Sequence, residues 1–451
     1  MTHSTHSTIG TLLIANRGEI AARIIRTAHA LGIATVAVYS DPDAEAPYVR
    51  MADQAVRLPG AAPADTYLRG DLIIAAAAAT GAGAIHPGYG FLSENAAFAR
   101  ACADAGLTFV GPSPGTIQAM GDKVAAKATM AAAGVPVLPS VTVDSDGLDV
   151  GAAASTVGFP LLVKAAFGGG GRGMRLVSDP SQLAAAVGAA RREAAGAFGD
   201  GTVFLERYVP DPRHVEVQIL GDAHGDVVHL FERECSIQRR YQKIVEESPS
   251  PAVDGELRAA LTKAAVTAGR AAGYTGAGTV EFVLDRDGSF YFLEMNTRLQ
   301  VEHPVTEAVT GLDLVELQLR IAEGEPLPPE VREAAITGHA IEVRLYAEDV
   351  PAGFLPVTGT LHRFAIPSGP GLRVDSGFRH GSVVSPYYDA MLAKVIAVGR
   401  TRDEAARRLA RALAGAQVHG VTTNRDLLTG ILREPEFLAG QTDTGYLTRH
   451  A

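Results

Sequence analysis

Cysteine is scarce in this chain: Cys102 and Cys235 are the two that its 451 residues contain. Two thiols cannot build a disulfide framework or a cysteine-rich zinc site, and the count fits a reducing cytosol. Positive charge is in deficit as well, with 40 Lys and Arg against 50 Asp and Glu and a net charge of −10. That balance argues against a general nucleic-acid or anionic-membrane binder, while leaving room for a local basic pocket that holds a small anion. No apolar run is long enough to cross a bilayer; the uncharged, Ala-rich stretch Leu72–Ile85 is too short and too mild. Met1–Thr8 has no basic n-region and no long apolar core, so it is not a secretory signal. A soluble cytoplasmic protein without membrane or nucleic-acid partners is expected. No Gly-Lys-Ser/Thr occurs anywhere, which excludes a Walker phosphate loop.

What is present is a globular balance, 47% hydrophobic and 20% charged. The length suggests about three domains. The chain opens as strand, helix, strand: Thr11–Ala15 is apolar, Ile20, Ile24, Ile25, Ala28 and Leu31 follow helical spacing after Gly18, and Ala34–Tyr39 is the next strand. The first turn, Asn16-Arg-Gly-Glu19, has one glycine where a dinucleotide fingerprint needs three, so the fold reads as Rossmann-like without that ligand site. A second segment begins near Gly121-Asp-Lys123 and carries a smaller α/β insert from Val141 to Gly199. Glu323–Glu330, rich in Pro, Glu and Gly, reads as an exposed linker. The third segment combines short strands (Ala340–Tyr346, Leu392–Val398) with an amphipathic helix from Asp403 to about Ala416.

The 49 glycines are in modest excess, and they cluster at Gly168–Gly173. A strand ending in Lys164 leads into that run, which contains Arg172. Glycine lets backbone N–H groups close around phosphate oxygens, and the two cations would neutralise them. A second signal is a hairpin. Thr279–Asp285 and Ser289–Asn296 flank Arg286-Asp287-Gly288, and a two-residue Asp287-Gly288 turn sets Glu281 opposite Glu294. Two facing carboxylates repel unless a cation lies between them; hard oxygen ligands suit Mg²⁺ or Mn²⁺, with Asn296 on the same face as a third. If the chain stays extended, Glu294, Asn296, Arg298, Gln300 and Glu302 continue along one face: metal ligands beside an anion-binding arginine and a carboxylate base. His303-Pro304 then breaks the strand. The charged run Glu232–Lys243 reads as a solvated loop, and Cys235 within it has no nucleophile's partners.

These motifs together resemble biotin carboxylase, the ATP-grasp component of acetyl-CoA, propionyl-CoA and pyruvate carboxylases. The resemblance runs from about Ile9 to Leu447 through Ile14–Ile20, His86–Asn95, Gly168–Met174, Arg213–Gln218, Glu294–Pro304 and Gly338–Asp349. It implies an α/β chain with a Rossmann-like N-terminal domain (1–120), an ATP-grasp domain (121–331) with an inserted lid at about 140–209, and an α+β cap (332–451). It also implies an ATP-dependent, ADP-forming ligase that turns bicarbonate into carboxyphosphate and carboxylates biotin on a carrier. By the same resemblance, ATP is held by Lys123, Lys164, Gly168, Gly169, Gly170, Gly171, Met174, Glu206, Arg207, Val209, His214 and Gln238. Glu281, Glu294 and Asn296 match the metal centre. Lys243, Arg298, Gln300, Val301 and Glu302 match the bicarbonate pocket, with Glu302 as general base. Arg344 and Tyr89 match residues near biotin. Ala166 and Phe167 stand at the start of a glycine run that is often longer in the family, and Tyr241 stands where many members carry His. None of the seven methionines precedes a lysine, so the biotinyl lysine is expected on a separate carrier protein or on a following segment. A carboxyltransferase subunit and homodimerisation are the other expected partners. Another ATP-grasp carboxylate–amine ligase, or a nucleotide-binding subunit without turnover, are the alternatives.

Overall fold

The computed structural model describes residues 8–143, 150–167 and 174–450. The N-terminal strands β1 (Thr11–Ile14), β2 (Ala34–Ser40), β3 (Gln54–Leu58), β4 (Ala84–His86) and β5 (Thr108–Phe109) form a wholly parallel sheet in the order β3-β2-β1-β4-β5. Apolar β1 is central, with Leu12, Leu13 and Ile14 fully buried, because both faces of a parallel sheet are covered. The helix Gly18–Ala30 covers one face with Ile20, Ile24, Ile25 and Ala28. Asn16 closes the turn after β1 by donating from Nδ2 to the carbonyls of Pro87 and Tyr89, each at 2.7 Å. Gly88 accepts this approach because its φ is +63° and a Cβ there would meet Asn16 Nδ2 at 2.9 Å.

A separate antiparallel sheet, in the order β6-β9-β7-β8, is built from β6 (Ser140–Val143), β7 (Leu161–Ala165), β8 (Arg175–Val177) and β9 (Val203–Arg207). It has its own core of Leu161, Val163, Val177, Val203 and Leu205.

The largest sheet has eight strands. β10 (Arg213–Gly221), β11 (Val227–Arg239), β12 (Gln242–Ser248), β13 (Gly276–Leu284), β14 (Phe290–Asn296) and β15 (His339–Tyr346) join two later strands, Leu372–Ser376 and Met391–Gly399. The order is β14-β13-β10-β11-β12-β15, then Met391–Gly399, then Leu372–Ser376, with every pairing antiparallel. The C-terminal segment thus extends the sheet of the preceding one.

Three local expectations change. The charged run Glu232–Arg239 is no loop but part of β11, with Glu232, Arg233, Glu234 and Ser236 buried, because neighbouring strands and a helix supply polar partners. Glu323–Glu330 is partly tied down: Leu327 enters the core while its N–H donates to Asp222 Oδ2 at 3.0 Å, and Glu323 Oε1 accepts from Ile9 N–H at 2.8 Å. His303-Pro304 opens the helix His303–Thr310 rather than simply ending a strand, since proline is tolerated in a first helical turn.

Candidate active site

The hairpin β13–β14 places the first acids. Its loop is not the two-residue turn expected: Asp285 and Ser289 pair across three residues, Asp285 N–H donating to Ser289 O at 2.8 Å, with Gly288 at φ +86°. Near the loop Leu284 faces Phe290 and Phe282 faces Phe292. A bulge then inserts Leu293, and the register shifts so that Glu281 faces Glu294 and Thr279 faces Asn296. The two departures cancel, and the acids meet as the simpler turn would have had them.

Glu216 on β10 continues the row, facing Glu281 on one side and Arg233 of β11 on the other. Three glutamates side by side need cations, and each has one. Lys243 Nζ donates to Glu216, to Glu281 Oε1 at 2.8 Å and to Glu302 Oε1 at 2.6 Å. Lys123 Nζ donates to Glu294 Oε2 at 2.6 Å. Arg233, wholly buried, donates to Glu216 Oε1 at 2.6 Å, Gln218 Oε1 at 2.7 Å, Thr306 Oγ1 at 2.9 Å and Thr279 Oγ1 at 3.0 Å.

Glu281 and Glu294, with Lys243 and Lys123, line a cavity of about 710 Å³, and Glu216 and Arg233 lie buried behind them. Its lining includes Lys164, Glu206 and Arg207 of the small sheet with Val209 and Met174 beside it, and also Arg298, Gln300, Val301, Glu302 and Arg344. His214 and Gln238 line it too, with Gln238 Nε2 and His214 Nδ1 2.8 Å apart and His214 Nε2 3.0 Å from Glu281 Oε2. Burial pushes the Glu281 carboxyl up, but Lys243 and His214 hold it well below the usual range. The Glu206 carboxylate takes both Lys127 Nζ and, at 2.5 Å, Lys164 Nζ. Buried as it is, these two ammonium groups bring it down to about 2. Its side chain is therefore committed to lysines rather than left open to a base.

The stripe beyond β14 is not an extended strand, since β14 ends at Asn296 and a loop and turn follow. Its side chains converge nevertheless. Arg298 donates to Gln300 Oε1 at 2.7 Å and Asn296 Oδ1 at 3.1 Å, and Gln300 Nε2 and Asn296 Nδ2 both donate to Glu281 Oε1. Arg344, on β15, donates to Glu302 Oε2 at 3.0 Å and Glu246 Oε1 at 2.5 Å. Burial would raise the Glu302 carboxyl; Lys243, Arg344 and Arg233 overcome this and keep it well below its ordinary value.

Of the expected site residues within the described range, Tyr89 alone does not line the cavity. It is half-buried, with its hydroxyl donating to Glu19 Oε1. Gly168, Gly169, Gly170 and Gly171 lie outside the described residues. Sequence reading missed Lys127, Glu216, Arg233, Glu246 and Glu94. Glu94 accepts from Thr297 N–H at 3.0 Å and Arg298 Nε at 2.8 Å. The alternation His214, Glu216, Gln218 in the midst of valines was the available signal for Glu216.

The acid pair fits a hard dication. Glu281 and Glu294 are two carboxylates in register on the cavity wall, each already drawing an ammonium, and oxygen donors of this kind suit Mg²⁺ or Mn²⁺. Asn296 could offer Oδ1 only by giving up Arg298.

Comparison with known proteins bears on the same residues. The family model for the biotin carboxylase N-terminal domain matches residues 8–117, that for the carbamoyl-phosphate synthase L chain ATP binding domain matches 122–330, and that for the biotin carboxylase C-terminal domain matches 342–449. The chain is 50% identical to the biotin carboxylase of Halalkalibacterium halodurans, over 97% of both chains. It is 51% identical to the mitochondrial methylcrotonoyl-CoA carboxylase subunit alpha of Arabidopsis thaliana, covering 97% of this chain and 60% of that longer protein. Among solved structures it resembles the biotin carboxylase domain dimer of Hydrogenobacter thermophilus 2-oxoglutarate carboxylase in complex with MgADP, ADP and bicarbonate. There the TM-score is 0.95 and the identity 44%, over 99% of this chain and 98% of that one. From its motifs, its fold and these matches, the chain belongs to the biotin carboxylase family of ATP-dependent ATP-grasp ligases.

Proposed function

We propose that this chain carries out the first half-reaction of a biotin-dependent carboxylase: ATP and bicarbonate give carboxyphosphate and ADP, and the carboxyl group passes to biotin with release of phosphate. The observation that carries this reading is Glu302, fully buried in the cavity wall yet kept ionised by Lys243 and Arg344. A bicarbonate ion entering beside Lys243 and Arg298 would compete for those cations. As it drew Lys243 away, Glu302 would recover basicity next to the bicarbonate hydroxyl and accept its proton. Lys123 and Lys164 would meet the ATP phosphates, and the segment Glu206–Val209, from the end of β9 onward, would border the base, with Lys127 and Lys164 fixing Glu206. Glu281 and Glu294 would hold Mg²⁺, which when bound spreads the charge of the transferring phosphoryl group. Arg344, steadied by Glu246, would stabilise negative charge developing on the biotin ureido oxygen, with Tyr89 nearby. The domain reading 1–120, 121–331 and 332–451 goes with this assignment.

A carrier bearing biotin and a carboxyltransferase are the proposed partners. The family relatives that continue beyond this span, and the relative solved as a domain dimer, support a homodimer working with such components. Among the described residues no helix is long and apolar enough to cross a membrane. That both cysteines are buried free thiols fits the reducing cytoplasm proposed for it. The test is ADP release measured with and without bicarbonate and free biotin. Bicarbonate-dependent release that biotin stimulates is expected, and Glu302→Gln should abolish most of it. Release indifferent to bicarbonate would overturn the reading.

A further inference from the structure

A buried lysine outside the cavity lining joins two parts of the site. Lys394, on the strand Met391–Gly399, is 0% exposed. An ammonium taken out of water needs acceptors for its donors. Its Nζ donates to the backbone carbonyl of Val301 at 2.8 Å and lies 3.0 Å from Glu19 Oε1. Glu19 is itself buried, in the first turn of the helix Gly18–Ala30, where negative charge is favoured. The same Oε1 accepts the Tyr89 hydroxyl, and Glu19 Oε2 has no partner among the described residues. The Lys394 ammonium also stands 6.0 Å from the centre of the Tyr89 ring, at the edge of cation–π range. In the sheet, Lys394 faces Arg344 in register, and Asp375 faces it from the other side. Val301 and Glu302 share the turn that leads into the helix His303–Thr310.

We propose that Lys394 is a positioning residue, tying Tyr89 through Glu19 to the Val301–Glu302 turn so that one buried cation sets the biotin side and the bicarbonate side together. This rests on the assignment of those two sides above. A purely structural role would cost stability when the lysine is lost, since Glu19 and the Val301 carbonyl would be left buried without their cation. Positioning makes a further demand: affinity for two different substrates changes at once, although Lys394 lines neither pocket.

The experiment measures bicarbonate-dependent ATP hydrolysis and its stimulation by free biotin in the full chain, for the parent and for Lys394→Gln, with thermal unfolding alongside. Lys394→Gln is expected to raise KM for bicarbonate and KM for biotin together, each by about tenfold, the factor for one lost charge-assisted hydrogen bond. Both KM values unchanged at a lowered unfolding temperature, or a shift in one KM alone, overturns the proposal. Where Lys394→Gln does not fold, Glu19→Gln reads the link from its other end. A rise in KM for bicarbonate supports it, and a shift confined to biotin overturns it. Glu302→Gln is assayed in parallel. If that variant keeps bicarbonate-dependent hydrolysis, the site assignment itself fails and the proposal falls with it; if it is inactive, the Lys394 results judge the proposal alone.

Discussion

Glu246 offers a quantitative test of the buried charge network. It lies on β12, wholly buried, with Oε1 accepting from Arg344 Nε and Oε2 without a partner among the described residues. Its neighbour in register on β15 is Glu342, neither of whose oxygens has a hydrogen-bond partner among the described residues. Burial, opposed by Arg344 and Lys243 but reinforced by Glu302, pushes the Glu246 carboxyl up to about 7. The folded state therefore binds this proton more tightly than the unfolded chain does. Stability from this group is fully present below the ordinary carboxyl value of 4.5 and is lost as pH rises through about 7. Over that window the loss amounts to about 3 kcal/mol. Glu246→Gln removes the titration but keeps a side chain of the same shape. Its stability relative to the parent, from urea unfolding followed between about pH 5 and about pH 8, should therefore improve with pH by up to about 3 kcal/mol. The hydrogen bond from Arg344, which the amide oxygen can still accept without the charge, sets the offset of the curve, not its slope. A difference that stays flat across the window, or that falls with pH, would refute the reasoning.

Arg233→Met should cost about 3–5 kcal/mol, because Glu216 keeps its buried charge while losing a cation, and a lowered unfolding temperature reads it. Glu94→Gln frees Arg298 at a partly exposed pair, so KM for bicarbonate should rise about two- to fivefold with KM for ATP unchanged; an equal rise in both would count against the arrangement. Gly221→Ala should lower stability by about 4 kcal/mol or more, since the new Cβ would sit 2.0 Å from the Tyr274 carbonyl oxygen, and soluble yield is the measure.

Local chemistry was legible where one segment carried it. Strand–helix–strand spacing at Thr11–Tyr39 led to a parallel sheet, and the acids of β13 and β14 were paired from the hairpin alone. That pairing succeeded through compensation, since both the three-residue loop and the bulge at Leu293 went unseen. Bulges answer to packing, and no turn dipeptide announces them. The partners that make the acids tolerable were harder to find. Arg233 looked like one more solvated charge because Glu216, Gln218, Thr279 and Thr306, which receive it, are contributed by β10, β13 and the helix His303–Thr310. Glu94, Glu246 and Lys394 likewise reach the site from segments far away in sequence. The stripe from Glu294 to Glu302 named the right neighbours by assuming an extended chain, whereas a loop and a helix start bring them together.

The eight-stranded sheet sets what can come apart. β12 pairs with β11 on one side and with β15 on the other, so the last quarter or so of the chain is zipped onto the segment before it by backbone hydrogen bonds. A truncation after Glu330 would not release a free-standing module. It would turn β12 into a raw edge, open to pairing with another chain and to aggregation. The small sheet of β6 to β9 shares no strand with the large one and encloses its own core. Cooperative unfolding should follow that division, with the small sheet opening as its own unit while the long sheet melts as a single body.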